Sequence, residues 1–169
     1  MTQSDDRSPE QRLAALGLTL PTVAKPLAAY VPAVASGGLV YTSGQLPFVD
    51  GQLLATGKVG ADIEVAEAAE LARICALNAL AAAASVAGSL SEIKRIVKVT
   101  GFVSSAPDFT GQAQVINGAS ELLIEVFGEA GRHARSAVGM AVLPLDTPVE
   151  LELIAELADH PASDSLSAG

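Results

Sequence analysis

The stretch from Asp62 to Ala87 limits the fold more than any other part of this chain. It is dominated by alanine and leucine, holds neither proline nor glycine, and stops at Gly88. It therefore reads as one long helix, with Asp62 capping its start and Glu64, Glu67 and Glu70 near its positive end. Apolar residues run almost all the way round it. A surface helix needs only one apolar stripe, so a helix of this kind is covered on more than one side, here by its own sheet and by another subunit. Its most apolar part, Ile74 to Ala87, is interrupted by Asn78 and Ser85 and is shorter than the ~20 residues that a bilayer crossing requires. The expectation is a soluble chain with no membrane partner.

The other elements are shorter. Ser8-Pro9-Glu10-Gln11 is a helix start with its own capping box, closed by Gly17. Residues 1–27 thus read as an N-terminal extension carrying a short helix, residues 28–158 as a single domain, and residues 159–169 as a flexible tail. Tyr30 to Ala35 and Leu39 to Ser43 flank Ser36-Gly37-Gly38, a hairpin signal, and the loop from Pro47 to Gly60 carries turn residues at Asp50-Gly51 and Gly57. Glu92 to Ser104 reads as a strand. A second helix, Phe109 to Phe127, carries Val115, Ile116, Ala119, Leu122, Leu123, Val126 and Phe127 on one face. Two strands follow, Arg135 to Leu143 and Val149 to Leu157, and the short link between them reads as a simple hairpin through Leu145. The order argues for an α+β fold, a mixed sheet with both helices packed on one face. Both alternating sets of strand residues are substantially apolar, so the second sheet face is expected to meet identical subunits.

Charge and composition remove several classes of function. Ten Lys plus Arg against nineteen Asp plus Glu give a net charge of −9, which repels a phosphate backbone, so nucleic acid is not an expected partner. The single cysteine, Cys75, excludes an internal disulfide, and with His133 and His160 it makes a poor zinc site. The polar, acidic start lacks the pattern of a secretory signal, and the expected compartment is a reducing cytoplasm. Gly51 to Val59 imitates a phosphate loop, but five residues separate its glycines where that loop has four, and no hydroxyl follows Lys58. It reads as a turn.

What chemistry is left gathers at Gly131-Arg132-His133-Ala134-Arg135-Ser136-Ala137, a basic cluster in an acidic protein. Strand alternation puts Arg135 on one face with Ala137 and Gly139, whose small side chains leave room beside the guanidinium. Such a site suits a small carboxylate, and equally an interface or surface ion pair with one of the many glutamates. Glu150 alternates away from Val149 and Leu151, as on a solvated face, and a hairpin would hold it roughly 17 Å along the strand from Arg135. If the two share a site, the strands pair differently or the site lies between subunits. Asn117 sits off the apolar stripe of its helix, facing solvent or a partner, whereas Asn78 lies among apolar residues and needs hydrogen-bond partners. Cys75 reads as a core thiol. His133 reads as a positioning or interface residue that can titrate near neutrality.

Four segments together resemble the RidA (YjgF) family of reactive-intermediate deaminases, whose members were once labelled translation inhibitors or endoribonucleases. They are Tyr41-Thr42-Ser43-Gly44-Gln45-Leu46-Pro47, Phe109 with Asn117, Ala134-Arg135-Ser136, and Leu143-Pro144 with Val149-Glu150-Leu151-Glu152. The resemblance spans Ala28 to Leu157. It implies a chorismate-mutase-like homotrimer, with sheets forming an inner barrel and sites between subunits. It implies that Arg135 binds the substrate carboxylate, that Glu150 positions the hydrolytic water, and that Tyr30, Ser43, Gly44, Asn117 and the backbone of Ala137 line the pocket. The implied reaction is hydrolysis of enamines or imines such as 2-aminoacrylate and 2-iminobutanoate to 2-keto acids and ammonia, with no metal or organic cofactor. The alternative is a non-catalytic trimer that binds a small carboxylate and regulates. His133 stands where many members carry proline, and Ala137 where a cysteine is common.

Overall fold

A computed structural model describes residues 6–23 and 29–158; the tail expected at 159–169 lies outside them. In chain order the elements are α1 (Pro9–Ala15), β1 (Ala33–Ser36), β2 (Leu39–Thr42), β3 (Phe48–Val49), β4 (Gln52–Leu53), α2 (Val65–Ala87), β5 (Ile93–Ser104), α3 (Gln112–Phe127), β6 (Ala134–Met140) and β7 (Val149–Leu157). Five strands form one mixed sheet in the order β1-β2-β7-β5-β6, while β3 and β4 make a separate small hairpin. The α+β expectation holds.

Helix α2 begins three residues later than the sequence suggests. The Asp62 carboxylate accepts the Lys58 backbone N–H at 2.9 Å, so it closes the preceding turn and does not cap the helix. Glu64 takes the cap position without a side-chain bond. The 23 residues of α2 are, by length and composition, long and apolar enough to cross a membrane, which corrects the shorter estimate above. About half of that helix is instead buried in the core, where Cys75, Ala76, Ala79, Leu80, Ala82 and Ala83 have no exposed surface. One side lies on β1, β2 and β7, and another on α3. The second cover predicted for this helix is thus supplied within the chain. Contact with α3 is close because Gly118 has no side chain: a Cβ there would overlap the carbonyl of Ala69, lying 2.7 Å from its carbon.

Asn78 has the partners that its surroundings demand. Its amide donates to the carbonyls of Leu46 and Phe48 at 2.9 and 3.0 Å, which ties the β3–β4 hairpin to α2. Asn78→Ala removes both bonds, leaving the Leu46 carbonyl only the one it accepts from the Phe48 N–H, and is expected to cost about 1–3 kcal/mol. Urea denaturation reads the loss, and amide exchange should quicken first across residues 46–53.

Both long helices sit on one face of the sheet, against Val40, Ile96, Val99, Val103, Leu151, Leu153 and Ala155. The opposite face carries Val34, Tyr41, Phe102, Val138, Met140 and Ile154 among Lys98, Thr100, Ser136, Glu150, Glu152 and Glu156. This face is mixed and not as apolar as the strand pattern implied. Val34, Tyr41, Val138 and Met140 are between 38% and 49% exposed on it.

The predicted hairpin between the last two strands does not form. β5 lies between them, pairing in parallel with β6 and antiparallel with β7. The link, residues 141–148, steps over the end of β5. It is pinned where Lys58 Nζ donates to the Ala141 carbonyl and the Gly57 N–H donates to the Asp146 carbonyl at 2.9 Å. β5 thus has a hydrogen-bonded neighbour on each edge.

Candidate functional site

Arg135 aligns with Val99, whose side chain is fully buried under the helices, so Arg135 leaves the sheet on the helix side at its β6 edge. Its Nη1 donates to Asn117 Oδ1 at 2.8 Å and to Ser120 Oγ at 3.2 Å, both on α3. Among the described residues no carboxylate pairs with it. Of the ion pairs that the sequence left open, a surface pair within the described residues is therefore not its role. An open recess of about 210 Å³ beside it is lined by Ser120, Ile124, Arg132, His133 and Arg135. Asn117, read above as a solvent or partner residue, is the first hydrogen-bond acceptor for the guanidinium. Ala137 lies two residues further along β6, partly buried against the core and level with Gly101.

Ser120 went unrecognised in the sequence. The available signal was spacing, because residues three apart on a helix share a face, which puts Ser120 beside Asn117. His133 Nε2 lies 3.0 Å from Ser120 Oγ, and His133 Nδ1 lies 2.6 Å from the Gly131 carbonyl. Burial pulls the His133 pKa down; the Gly131 carbonyl opposes this and the Arg135 charge adds to it. Both burial and the Arg135 charge thus favour the neutral ring.

Glu150 aligns with Phe102 and leaves the sheet on the open face. It stands two strands across and three residues along from Arg135, roughly 14 Å between Cα atoms, with the two side chains on opposite faces. One chain therefore does not bring Arg135 and Glu150 together. Around Glu150 a second group assembles. A Cβ on Gly44 would lie 2.8 Å from the Glu150 carboxyl carbon, so glycine is what permits the carboxylate to lie there. Ser43 Oγ donates to the Val31 carbonyl at 2.6 Å and its N–H donates to the Pro32 carbonyl at 2.8 Å, which brings the Tyr30 segment beside the end of β2. The Tyr30 ring is 58% exposed. Burial raises the Glu150 carboxyl above its ordinary range, and Glu152 on the same face raises it further.

The chain thus carries two separate polar groups, an arginine braced by α3 on the helix side of the sheet and, on the other face, a raised carboxylate lying against Gly44, which adjoins Ser43. Cys75 belongs to neither. It is fully buried, its thiol 3.7 Å from the Val149 carbonyl, and burial followed by the Glu150 charge pushes its pKa well up. Among the described residues no three His, Cys, Asp or Glu stand close enough to hold a metal ion.

Residues 10–157 match the model of the YjgF/chorismate mutase-like family. The protein TCP17 of Trypanosoma cruzi is 46% identical over 143 residues, covering 84% of this chain and 89% of that protein. The crystal structure of Atu1372 from Agrobacterium tumefaciens, described as of unknown function, is 50% identical with a TM-score of 0.82, covering 89% of this chain and 92% of that one. The structure of Escherichia coli TdcF with bound serine is 28% identical with a TM-score of 0.60, covering 80% and 94% of the two chains.

Proposed function

The chain belongs to the YjgF/chorismate mutase-like family, and from that premise we propose that it hydrolyses short-lived enamines and imines of small 2-amino acids to 2-keto acids and ammonia. The observation that carries this reading is Arg135: a guanidinium half-withdrawn from water, braced by neutral groups, with no carboxylate paired to it among the described residues. A planar fork held in that way is a receptor for a carboxylate. The serine bound to TdcF is a small molecule of that kind.

The working unit we propose is a homotrimer with each site between two copies. Two observations support it: Arg135 and Glu150 leave opposite faces of one sheet, and that sheet's open face holds exposed apolar residues. In the assembled site the substrate carboxylate sits on Arg135, while Glu150 of a neighbouring copy orients a water. Tyr30, Ser43, Gly44, Asn117 and the Ala137 carbonyl close the pocket. An enamine first tautomerises to its imine. Water then adds to the imine carbon, Glu150 taking one of its protons and passing it to nitrogen to give a carbinolamine; the carbinol hydroxyl gives its remaining proton to the amine, again by way of Glu150, and the C–N bond breaks to leave ammonia and a keto group. Imines of this kind hydrolyse without help, so the task is mainly orientation. The proposed reaction asks for no metal or organic cofactor. RNA is a poor substrate for a chain of net charge −9.

The test is keto-acid release from an imine generated by a PLP-dependent dehydratase, compared with buffer. No acceleration would reject the reading. Binding of 2-ketobutyrate that depends on Arg135 but comes without turnover would favour the regulatory trimer, to which the serine-bound relative also lends support.

Glu150→Gln separates activity from stability. Glu150 must be ionised to take a proton, so activity falls as the pH drops through its raised pKa, and the amide should lower turnover by on the order of 100-fold. The folded state holds this proton more tightly than the unfolded chain, so ionisation weakens the fold as pH rises through the interval between the ordinary and the raised value. Glu150→Gln is therefore expected to melt above the parent at about pH 8 and level with it at about pH 4. Scanning calorimetry at both pH values checks the sign.

A further inference from the structure

We infer that Ser120 and His133 are positioning residues which lock one edge of the Arg135 guanidinium to α3 and leave the other edge as the only one able to grip a carboxylate. This rests on Arg135 being the anion-binding group, and it goes further by assigning work to two residues outside that contact. Nη1 has two N–H donors, and both are used, one on Asn117 Oδ1 at 2.8 Å and one on Ser120 Oγ at 3.2 Å. Among the described residues Nε and Nη2 have no hydrogen-bond partner. That edge is a two-pronged fork of the kind that matches a carboxylate.

The direction of the chain follows from chemistry. The Gly131 carbonyl can only accept, so His133 Nδ1, 2.6 Å away, carries the proton. In the neutral ring Nε2 is then an acceptor. Ser120 Oγ, having accepted from Arg135, donates its own proton to Nε2 at 3.0 Å. Each group makes the one bond that the next requires. The far end is fixed as well, since Gly131 is buried so close to α3 that a Cβ there would lie 2.7 Å from the Leu123 carbonyl carbon. Asn117, Ser120 and the Gly131 backbone all refer the guanidinium to the same helix. An arginine held still before binding loses less freedom when the ligand arrives.

A hydroxyl is required at residue 120 because it accepts and donates at once. Ser120→Ala, Ser120→Thr and His133→Phe test this in the full-length protein. Calorimetry with 2-ketobutyrate should show binding weakened about 3- to 10-fold in Ser120→Ala and His133→Phe. Ser120→Thr should stay within about 2-fold of the parent. In turnover assays KM rises by a similar factor while kcat holds, since the brace acts on carboxylate capture. The side-chain NMR signals of Arg135, identified by their loss in Arg135→Lys, should show slowed guanidinium rotation in the parent and in Ser120→Thr. They should show faster rotation in the other two variants.

The inference is overturned if Ser120→Ala and His133→Phe leave both rotation and acid affinity unchanged, or if Ser120→Thr loses as much as Ser120→Ala. Should the parent fail to turn over imines, the deaminase reading falls, while the NMR comparison still decides the role of the brace.

Discussion

Arg135→Ala abolishes the accelerated release of keto acid, lowering kcat/KM on the order of 100- to 1,000-fold. Three features set that size. The guanidinium has a free edge that pairs with no carboxylate among the described residues, the contact is charge-assisted and two-pronged, and no described neighbour can replace it. Arg132 lines the same recess, but its Nε already pairs with Glu129 at 3.0 Å. Arg135→Lys should recover only a small part of the rate, because an ammonium supplies charge without the fork. Folding should barely change, since Asn117 and Ser120 lie near enough to the surface to turn to water. The reading does not survive an Arg135→Ala protein that is folded and keeps the parent rate.

Gly118→Ala is the substitution expected to harm the fold most for its size. The added methyl would be driven into the carbonyl of Ala69, which is backbone inside a helix and cannot rotate away. Relief requires α2 and α3 to move apart along an alanine-rich seam, opening gaps at Ala72, Ala76 and Ala119. The cost is about 3 kcal/mol, and the melting temperature falls by roughly 6–12 °C. Gly44→Ala makes a useful contrast. There the new methyl meets the end of the Glu150 side chain, which can swing, so activity falls and the melting point stays near its parent value.

The long elements were legible because burial writes a period into them. Val115, Ile116, Ala119, Leu122, Leu123 and Val126 are all fully buried on α3, and Val149, Leu151, Leu153 and Ala155 are buried along β7, as their spacing implies. Pairing order was not legible. Alternation tells which face of a strand is covered but not which strand lies beside it, and the turn-rich link after Met140 looks like a hairpin while carrying the chain across β5. In this link Leu145 and Asp146 adopt positive φ values of 56°, a left-handed conformation that nothing in their side chains announces. At the site, Arg135 stood out because a basic cluster in an acidic chain is conspicuous. Ser120 did not, since serine on a helix usually means nothing, and its use depends on a histidine thirteen residues away that the sheet brings back to it.

The central position in the five-stranded sheet belongs to β7, which follows all four of its sheet partners in chain order. Until it arrives, β1–β2 and β5–β6 are separate ribbons with no shared hydrogen bonds, and the apolar undersides of α2 and α3 have only part of a floor. A ribosome-bound nascent chain is therefore obliged to wait, exposing a greasy half-built layer until β7 clears the exit tunnel and slots between the two ribbons. For this architecture, birth order makes the keystone later than every piece it joins, and chaperone demand should peak between emergence of β6 and emergence of β7.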